Sequence, residues 1–361
     1  MTPLKARITD LIAATGPVPV SEYMVTCLFD PQAGYYTTRE PFGAEGDFVT
    51  APEISQMFGE LVAVWLYQAW QALGRPVPVT LAEIGPGRGT LMKDMQRTLS
   101  KLDPGFMANA RFAMVETSPR LTEIQKAALS GSNADIAWHE TVSTLPDAPL
   151  LIVGNELFDA LPIRQFVNTQ AGWKERMVGL DGGELGFFAG AASLDAALLP
   201  PDSASAPQGA IVEFSPARTA LMQLIAERLA RHRGAGLFVD YGYLQPGIGD
   251  TFQALRRHRH EDVLENPGEA DLTAHVDFSA LAAVARSAGL AAHLATQGRF
   301  LLDMGLLERA GQLGADADGP ERDKISAAVE RLAGPQAMGD LFKVLAVLPH
   351  GIEAAPFPLA D

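Results

Sequence analysis

The segment VTLAEIGPGRGTLMKDMQRTL, residues 79–99, constrains the fold of this 361-residue chain more than any other. Its apolar start predicts a buried strand over 79–84, and the spacing of later apolar residues predicts an amphipathic helix over 90–101. The turn between them carries three glycines at alternate positions, Gly85, Gly87 and Gly89. Because glycine has no Cβ, such a turn can be sharp and can let a ligand approach the backbone. The helix would present unpaired N–H groups and a positive dipole end at its N-terminus.

A carboxylate precedes this turn. Glu83 stands at the end of the predicted strand, two residues before the first glycine. The G-x-G-x-G spacing differs from the G-x-G-x-x-G of dinucleotide-binding folds. The combination resembles motif I of class I S-adenosylmethionine (SAM) methyltransferases. That resemblance implies that Glu83 meets the ammonium group of the methionine moiety and that the glycines pass under the nucleoside. A tight turn without a ligand is the alternative interpretation.

A second carboxylate follows the next predicted strand. RFAMVETSPRL, residues 111–121, predicts a strand that ends at Glu116, followed by a helix that Ser118 caps. In nucleotide-binding α/β folds, an acid at the end of the second strand binds the ribose hydroxyls, about 20 or more residues after the glycine loop. Glu116 lies 27 residues beyond Gly89, which leaves room for one crossover helix. We expect Glu116 to bind the ribose, and a carboxylate that only complements the helix dipole is the alternative.

The order of predicted elements defines the fold class. Strands are predicted at seven places in the core: 79–84, 111–116, 136–139, 150–156, 234–242, 291–297 and 342–348. Helices between them give a β-α-β-α alternation, which implies a mostly parallel sheet with right-handed crossovers. We expect an α/β, Rossmann-like fold with a seven-stranded sheet. Single helices are predicted over 53–72 and over 299–309.

Two insertions interrupt this alternation. Residues 161–215 begin with alternating apolar and polar positions around turn signals, which is typical of a β-meander, and residues 243–275 predict an irregular segment. We expect both to contribute to substrate binding at the carboxyl edge of the sheet, where α/β folds bind ligands. The predicted domains are an N-terminal helical cap and loop, the methyltransferase core with its insertions, and a C-terminal tail, over 1–75, 76–350 and 351–361.

Three further segments carry candidate site residues. GNELFDALP, residues 154–162, follows the apolar strand LLIV and places Asn155, Glu156 and Asp159 at a carboxyl strand edge. Polar side chains there are costly unless they serve a site or cap a helix. His275 precedes a predicted helix, and a structural hydrogen bond is the alternative to catalysis. Asp47, in the N-terminal loop, either closes over a ligand or belongs to a simple turn.

Composition excludes several classes of protein. The net charge of −15 disfavours nucleic acid as a partner, and no run of 18 apolar residues predicts a membrane span. The single cysteine, Cys27, excludes an internal disulfide and argues for a reducing compartment. The first residues lack a secretory signal and a clear transit peptide, so we expect a cytoplasmic location. The H-x-H pair at 258 and 260 has no third ligand at a recognisable spacing, so we expect a solvated loop and no metal site.

Eight segments together are similar to the MidA family over about residues 20–350. In chain order they are GDFVTAPEISQMFGELVAVWL, LAEIGPGRGTLM, VETSPRL, NELFDALPIRQF, FVDYGY, LTAHVDFSAL, TQGRFLLDMGL and MGDLFKVLAV. This family includes a mitochondrial assembly factor of respiratory complex I that is a protein-arginine methyltransferase. The resemblance implies a class I methyltransferase fold, SAM as methyl donor and a protein substrate related to complex I. The absence of a clear transit peptide favours a bacterial relative.

These patterns lead to one expected activity and two alternatives. We expect a SAM-dependent methyltransferase that modifies an arginine of a protein substrate, with Asp47 and Asn155 added to the cofactor-binding residues. Carboxylates can hold a guanidinium by bidentate hydrogen bonds, so Glu156 and Asp159 are the candidates for that contact, and His275 for proton removal. The alternatives are a SAM-binding assembly chaperone without turnover and a nucleotide-dependent oxidoreductase. The sequence does not define the oligomeric state.

Overall fold

The computed structural model describes residues 2–38 and 49–358, and these form two compact units. The first unit contains residues 2–38, Phe158–Ala220 and Gln245–Asp277. The second contains Val49–Leu157, Leu221–Leu244 and residues 278–358. The first unit thus combines the N-terminal residues with most of both predicted insertions.

The helices and strands have the following bounds. The α-helices are α1 Pro3–Thr15, α2 Val20–Phe29, α3 Tyr35–Thr38, α4 Ala51–Ile54, α5 Gln56–Ala72, α6 Thr90–Leu102, α7 Pro104–Asn109, α8 Pro119–Leu129, α9 Pro216–His232, α10 Phe278–Ser287, α11 Gln297–Asp303, α12 Leu306–Gly314, α13 Gly319–Ala333 and α14 Met338–Leu341. The strands are β1 Val18–Pro19, β2 Val79–Ile84, β3 Ala110–Val115, β4 Ile136–His139, β5 Leu150–Asn155, β6 Arg164–Thr169, β7 Gly172–Asp181, β8 Glu184–Ser193, β9 Ile211–Phe214, β10 Ala235–Tyr243, β11 Gln253–Arg256, β12 Arg259–Glu261, β13 Asp271–Thr273, β14 Val276–Asp277, β15 Leu290–Thr296 and β16 Phe342–Pro349.

Seven strands of the second unit form a sheet in the order β15-β16-β10-β5-β2-β3-β4. The strands from β10 to β4 are parallel neighbours, whereas β16 is antiparallel to both of its neighbours. This confirms the expected α/β fold with a mostly parallel sheet. The chain adds β3 and β4 on one side of β2, then β5 and β10 on the other. The carboxyl ends of β2 and β5 therefore flank the topological switch point, where open α/β sheets bind ligands.

The core of the second unit extends into the C-terminal residues. Strand β2 is buried along its whole length, as expected for a parallel strand with helices over both faces. The ring of Phe357 lies 5.9 Å from that of Phe300 and 6.3 Å from that of Trp65, measured between centroids. Helix α5, which the sequence-based division placed in the N-terminal segment, also belongs to this unit.

Two helix predictions were wrong in their boundaries. The predicted helix 53–72 is two helices, because Ser55 has an extended φ of −160° and its side chain accepts the N–H of Met57 as the cap of α5. The predicted helix 299–309 is also two helices. Gly305, with a φ of 93°, ends the first and precedes the second. In both cases the apolar periodicity continues across a break that a single capping residue produces.

The first unit contains two antiparallel sheets. One has the order β1-β7-β6-β9, with β8 paired to β7, so the meander predicted from residue 161 is confirmed. Its β7–β8 turn uses Gly182 and Gly183 at φ values of 58° and 94°. The other sheet, β12-β11-β13, lies in the segment that was predicted to be irregular. That prediction was wrong because these strands are short and their pattern resembles a loop.

Helices α1 and α2 supply much of the apolar core of the first unit, including Leu4, Ile8, Tyr23 and Cys27, all of them buried. Among the described residues, no helix is long and apolar enough to cross a membrane.

Candidate functional site

The glycine turn after β2 has the backbone conformation that its sequence predicts. The φ values are 66° at Gly85, 52° at Gly87 and 82° at Gly89, all in the region that side chains with a Cβ rarely adopt. Gly89 immediately precedes α6 in a left-handed conformation and has no side chain to cap the helix. Apart from the amide of Met92, which donates to Glu83, the first-turn amides of α6 can therefore face an anion or a polar ligand.

Gly85 has a structural role besides any contact with a ligand. A Cβ at this position would lie 3.0 Å from Cδ1 of Leu157, which packs over the turn. Glycine is therefore favoured at residue 85 by its φ and by the close approach of Leu157, whose side chain would have to move to accept a Cβ. At Gly89 a Cβ would meet Gln125 at 3.6 Å, an ordinary contact, so only the backbone conformation requires glycine there.

Glu83 is a buried carboxylate with one unused oxygen. Its side chain is 3% exposed, and the backbone N–H of Met92 donates to it. Within the described part of the chain, its Oε2 has no hydrogen-bond partner. Burial, with a smaller contribution from the charge of Glu116, raises the pKa of Glu83 to about 8, although the Met92 N–H lowers it. A buried oxygen of this kind fits a ligand that brings an ammonium group, because a cation offsets the cost of ionising the carboxyl.

Glu116 follows β3 and is tied to the glycine turn through Gln125. Its Oε1 accepts the N–H of Ser118 at 2.8 Å, and its Oε2 accepts Nε2 of Gln125 at 3.0 Å. The same Nε2 donates to the carbonyl of Gly87 at 2.9 Å, and Oε1 of Gln125 accepts Nε1 of Trp138 at 3.1 Å. Burial raises the pKa of Glu116, although both hydrogen bonds lower it. Gln125 thus fixes the position of Glu116 relative to the glycine turn.

Sequence reasoning missed Gln125. The signal was present on the buried face of α8, where the fully buried Gln125 stands four residues from both Leu121 and Leu129. A glutamine between two apolar residues of a helix face needs internal hydrogen-bond partners.

Asn155 and Glu156 form the carboxyl edge of β5. Nδ2 of Asn155 donates to Oε1 of Glu156 at 3.1 Å, while Oδ1 of Asn155 is buried with no partner among the described residues. Glu156 has a φ of 52°, and its N–H donates to the carbonyl of Val239 at 2.8 Å. A non-glycine residue in this conformation is strained, and such strain is common at functional sites.

The other two catalytic candidates, Asp159 and His275, lie in the first unit, where Arg218 joins their backbones. This buried guanidinium donates Nη2 to the carbonyl of Asp159 at 3.1 Å and Nη1 to that of His275 at 2.6 Å. It also donates to the carbonyls of Phe158 at 2.7 Å and Ala274 at 2.8 Å. The segments around the two candidates are therefore held against each other. Sequence reasoning missed Arg218, which had no motif of its own.

The structure thus places the predicted residues in three groups. The second unit holds a set around the carboxyl ends of β2, β3 and β5: Glu83, Gly85, Gly87, Gly89, Glu116, Asn155 and Glu156. The first unit holds Asp159 and His275, and Asp47 lies outside the described residues. Over residues 2–38 and 49–358, no three His, Cys, Asp or Glu side chains are grouped as metal ligands.

The sequence of this chain is similar to those of known proteins. Residues 61–296 match the sequence model of a family described as "Putative S-adenosyl-L-methionine-dependent methyltransferase". The chain belongs to this methyltransferase family. Its cofactor is therefore SAM, which agrees with the buried carboxylates and the glycine turn described above. Membership of this family decides against the nucleotide-dependent oxidoreductase, which was an alternative interpretation of the sequence.

Two curated relatives match along nearly the whole chain. The protein arginine methyltransferase NDUFAF7 homolog, mitochondrial, of Drosophila melanogaster is 37% identical, over 98% of this chain and 86% of its own. Protein arginine methyltransferase NDUFAF7, mitochondrial, of Homo sapiens is 33% identical, over 97% of this chain and 84% of its own.

A solved structure is similar as well. A crystal structure of a protein from Burkholderia thailandensis, described as a "likely methyl transferase" and bound to S-adenosyl-homocysteine, aligns with this chain with a TM-score of 0.82 and 31% sequence identity. The alignment covers 98% of this chain and 93% of that one. Similarity to a structure that holds the demethylated product of SAM supports the same methyl donor for this family member.

Proposed function

We propose that this protein transfers a methyl group from SAM to an arginine of a protein substrate. The observation that carries the proposal is the strained carboxylate Glu156 at the carboxyl edge of β5, beside Asn155. An arginine guanidinium forms strong paired hydrogen bonds with a carboxylate. The two curated relatives, both named protein arginine methyltransferases, support the choice of arginine.

The SAM site that we propose is built from the carboxyl ends of β2, β3 and β5. Glu83 would bind the ammonium group, Glu116 the ribose hydroxyls and Asn155 a polar group of the cofactor. The glycine turn would let the nucleoside approach the backbone, with Gln125 keeping the turn and Glu116 in place. SAM supplies a methyl group that its sulfonium already activates, so the protein chiefly positions the acceptor.

The acceptor needs both orientation and loss of a proton. Free arginine keeps its proton up to a pH of about 12, so its nitrogen is a weak nucleophile. We propose Glu156 for the contact that holds the guanidinium and localises its charge. Asp159 is the second candidate for this contact, and His275 is the candidate for accepting the proton.

We further propose that the first unit recognises the polypeptide. Its β6–β7–β8 meander and its segment 243–275 supply strand edges and loops, and an extended peptide can pair with a strand edge. Replacing the β7–β8 tip, residues 181–186, by a shorter turn should raise the KM for the protein substrate and leave SAM affinity unchanged. Loss of SAM affinity with an unchanged KM would contradict this assignment.

The family resemblance supports a subunit of respiratory complex I as the substrate. Both relatives described above carry "mitochondrial" in their names, which makes the mitochondrial matrix one candidate location. The bacterial cytoplasm, predicted from the sequence, is the second candidate. The predicted cytoplasmic location stays a prediction. Fractionation of the source cells, with an antibody against this chain, would decide between them.

Mass spectrometry of complex I subunits, from cells with and without this gene, tests the proposal directly. An arginine whose methylation disappears with the gene identifies the substrate. The purified protein should then methylate that subunit and release S-adenosyl-homocysteine, and the Glu156→Gln variant should not. SAM binding with no S-adenosyl-homocysteine in the presence of the subunit would instead identify an assembly chaperone without turnover.

A further inference from the structure

A short β-hairpin in the first unit concentrates positive charge in an acidic chain. Strands β11 and β12 are joined by a two-residue turn, and the residues around it read Arg256-Arg257-His258-Arg259-His260. We call these five residues the cationic tip. The whole chain has 43 acidic residues against 28 Lys and Arg, so its net charge is −15. The tip therefore has the opposite sign to the molecule that carries it.

The tip has this composition although its backbone favours other residues. The turn residues have φ values of 52° at Arg257 and 61° at His258. Two-residue hairpin turns with positive φ at both positions prefer Asn-Gly, because side chains with a Cβ are strained there. Arg256 also lies directly opposite Arg259, and like charges in this position repel each other. The cations of this hairpin are thus present despite backbone strain at Arg257 and His258 and repulsion between Arg256 and Arg259. Residues that are retained at such a cost commonly have a function.

The outer part of the tip faces solvent. Residues 257–260 are exposed, and Arg256 is held by Glu261 at 2.9 Å and by Glu269 at 3.3 Å. Among the residues that the structure describes, none forms an ion pair or hydrogen bond with the side chain of Arg259, whose backbone pairs with Arg256. A cleft of about 450 Å³ lies at the hairpin, lined by Arg256, Arg257, Arg259, His260 and Glu261.

We propose that the cationic tip docks a short acidic segment of a partner protein. The tip consists of Arg and His and has no apolar residue and no Phe, Tyr or Trp, so it has no apolar side chain to insert into a lipid bilayer. An extended polyanion would also meet the net negative charge of the rest of the chain. A short run of Asp or Glu meets the tip and, in the same cleft, Glu261, whose charge is paired with Arg256. Acidic residues more than about 10 Å away are screened at physiological salt. The tip lies within the segment 243–275 that is proposed above to recognise the polypeptide, but it contains none of the residues proposed to hold SAM or arginine.

The test measures binding of a fluorescein-labelled peptide of alternating Asp and Glu to the full-length protein at low salt. The first variant combines Arg257→Asn with His258→Gly, which installs the pair that the turn prefers while removing charge. The second is Arg259→Gln. Arg111→Gln, at an exposed arginine of β3, is the control for the change in net charge.

The wild-type protein and the control should bind the peptide equally. Each tip variant should bind about two- to fivefold more weakly per cation removed, and added salt should weaken binding by the wild type. The Asn-Gly variant should unfold at the same or higher urea concentration than wild type, so that misfolding cannot explain its loss. A wild type that does not bind the peptide, or tip variants that bind as the wild type does, would overturn the proposal. Binding to phosphatidylserine vesicles that depends on the tip, without peptide binding, would overturn it in favour of a membrane.

Discussion

The side-chain NH2 group of Gln125 donates to Oε2 of Glu116 at 3.0 Å and to the carbonyl of Gly87 at 2.9 Å. These acceptors follow different strands, β3 and β2. Because Gln125 is fully buried, its amide cannot exchange these partners for water. The geometry that the proposed SAM site needs on two strands therefore depends on one side chain of helix α8.

Replacing Gln125 by Met should weaken SAM binding about tenfold. Methionine fills a similar volume but cannot donate, so the carboxylate of Glu116 and the Gly87 carbonyl each lose a hydrogen bond. The loss should also cost about 1–3 kcal/mol of stability, because buried polar groups are left unsatisfied. Isothermal calorimetry with SAM and urea denaturation would measure the two effects. Glu123→Gln, at an exposed residue of the same helix, is the control and should change neither. Unchanged SAM affinity in the Met variant would show that SAM binding does not depend on the hydrogen bonds of Gln125.

The stability of the ligand-free protein should depend on pH through Glu83. Its pKa is raised from 4.5 to about 8 by burial, so the folded protein keeps a proton that the unfolded chain releases. Stability is therefore lost as the pH rises from about 4.5 to about 8, by up to about 1.4 kcal/mol per pH unit for this one group. Glu83→Gln removes the titrating group and can still accept the N–H of Met92.

Urea denaturation without SAM should show the Gln variant gaining stability over wild type as the pH rises from 5.5 to 8, while it loses SAM affinity. A constant difference between the two proteins across this range would show that Glu83 does not ionise in it.

The parts of the fold and site that could be predicted are those whose signal is local in sequence. The strand-turn-helix around Gly87 and the acid Glu116 each lie within one short segment. Gln125 could not be predicted with its partner, because Gly87 lies 38 residues away. Arg218 donates to backbone carbonyls that lie 56 to 60 residues away in the sequence. Contacts between one side chain and distant carbonyls produce no periodic pattern from which they could be predicted. The break at Gly305 could not be predicted from apolar periodicity, because the apolar pattern continues across the short break that separates α11 from α12.

Gly85→Ala should destabilise the protein more than Gly89→Ala. Both substitutions force a Cβ into a positive φ, at a cost of about 1–3 kcal/mol. Only the first also places that Cβ 3.0 Å from Leu157. Urea denaturation of the two variants gives the comparison. In a double-mutant cycle, Leu157→Ala should recover about 0.5 kcal/mol or more in the Gly85→Ala background, as expected for residues in contact. Strict additivity would show that the two residues do not clash.

Glu156→Gly should separate the chemical role of Glu156 from its structural one. Glycine adopts a φ of 52° without strain, so stability should stay the same or rise by up to about 1 kcal/mol. Methyl transfer should fall at least about tenfold, because the carboxylate proposed to hold the guanidinium is gone. Glu156→Gln keeps the backbone strain and removes only the charge, so it should lose transfer without gaining stability. The measurements are S-adenosyl-homocysteine release with the protein substrate, SAM calorimetry and thermal unfolding. Transfer at the wild-type rate in both variants would assign Glu156 a purely structural role.

Arg218→Met should be the most destabilising of these changes, at about 3–5 kcal/mol. The guanidinium donates to the carbonyls of residues 158, 159, 274 and 275, and a thioether would leave four acceptors without their donors. Arg218→Lys keeps the charge but lacks the planar fork that reaches several carbonyls, so its loss should be intermediate. Arg231→Met, at an exposed position of the same helix α9, is the matched control and should change stability by about 0.5 kcal/mol or less. Urea denaturation followed by far-UV circular dichroism would rank the three variants. Equal stability of the Met variants at 218 and 231 would show that the segments around Asp159 and His275 hold together without this arginine.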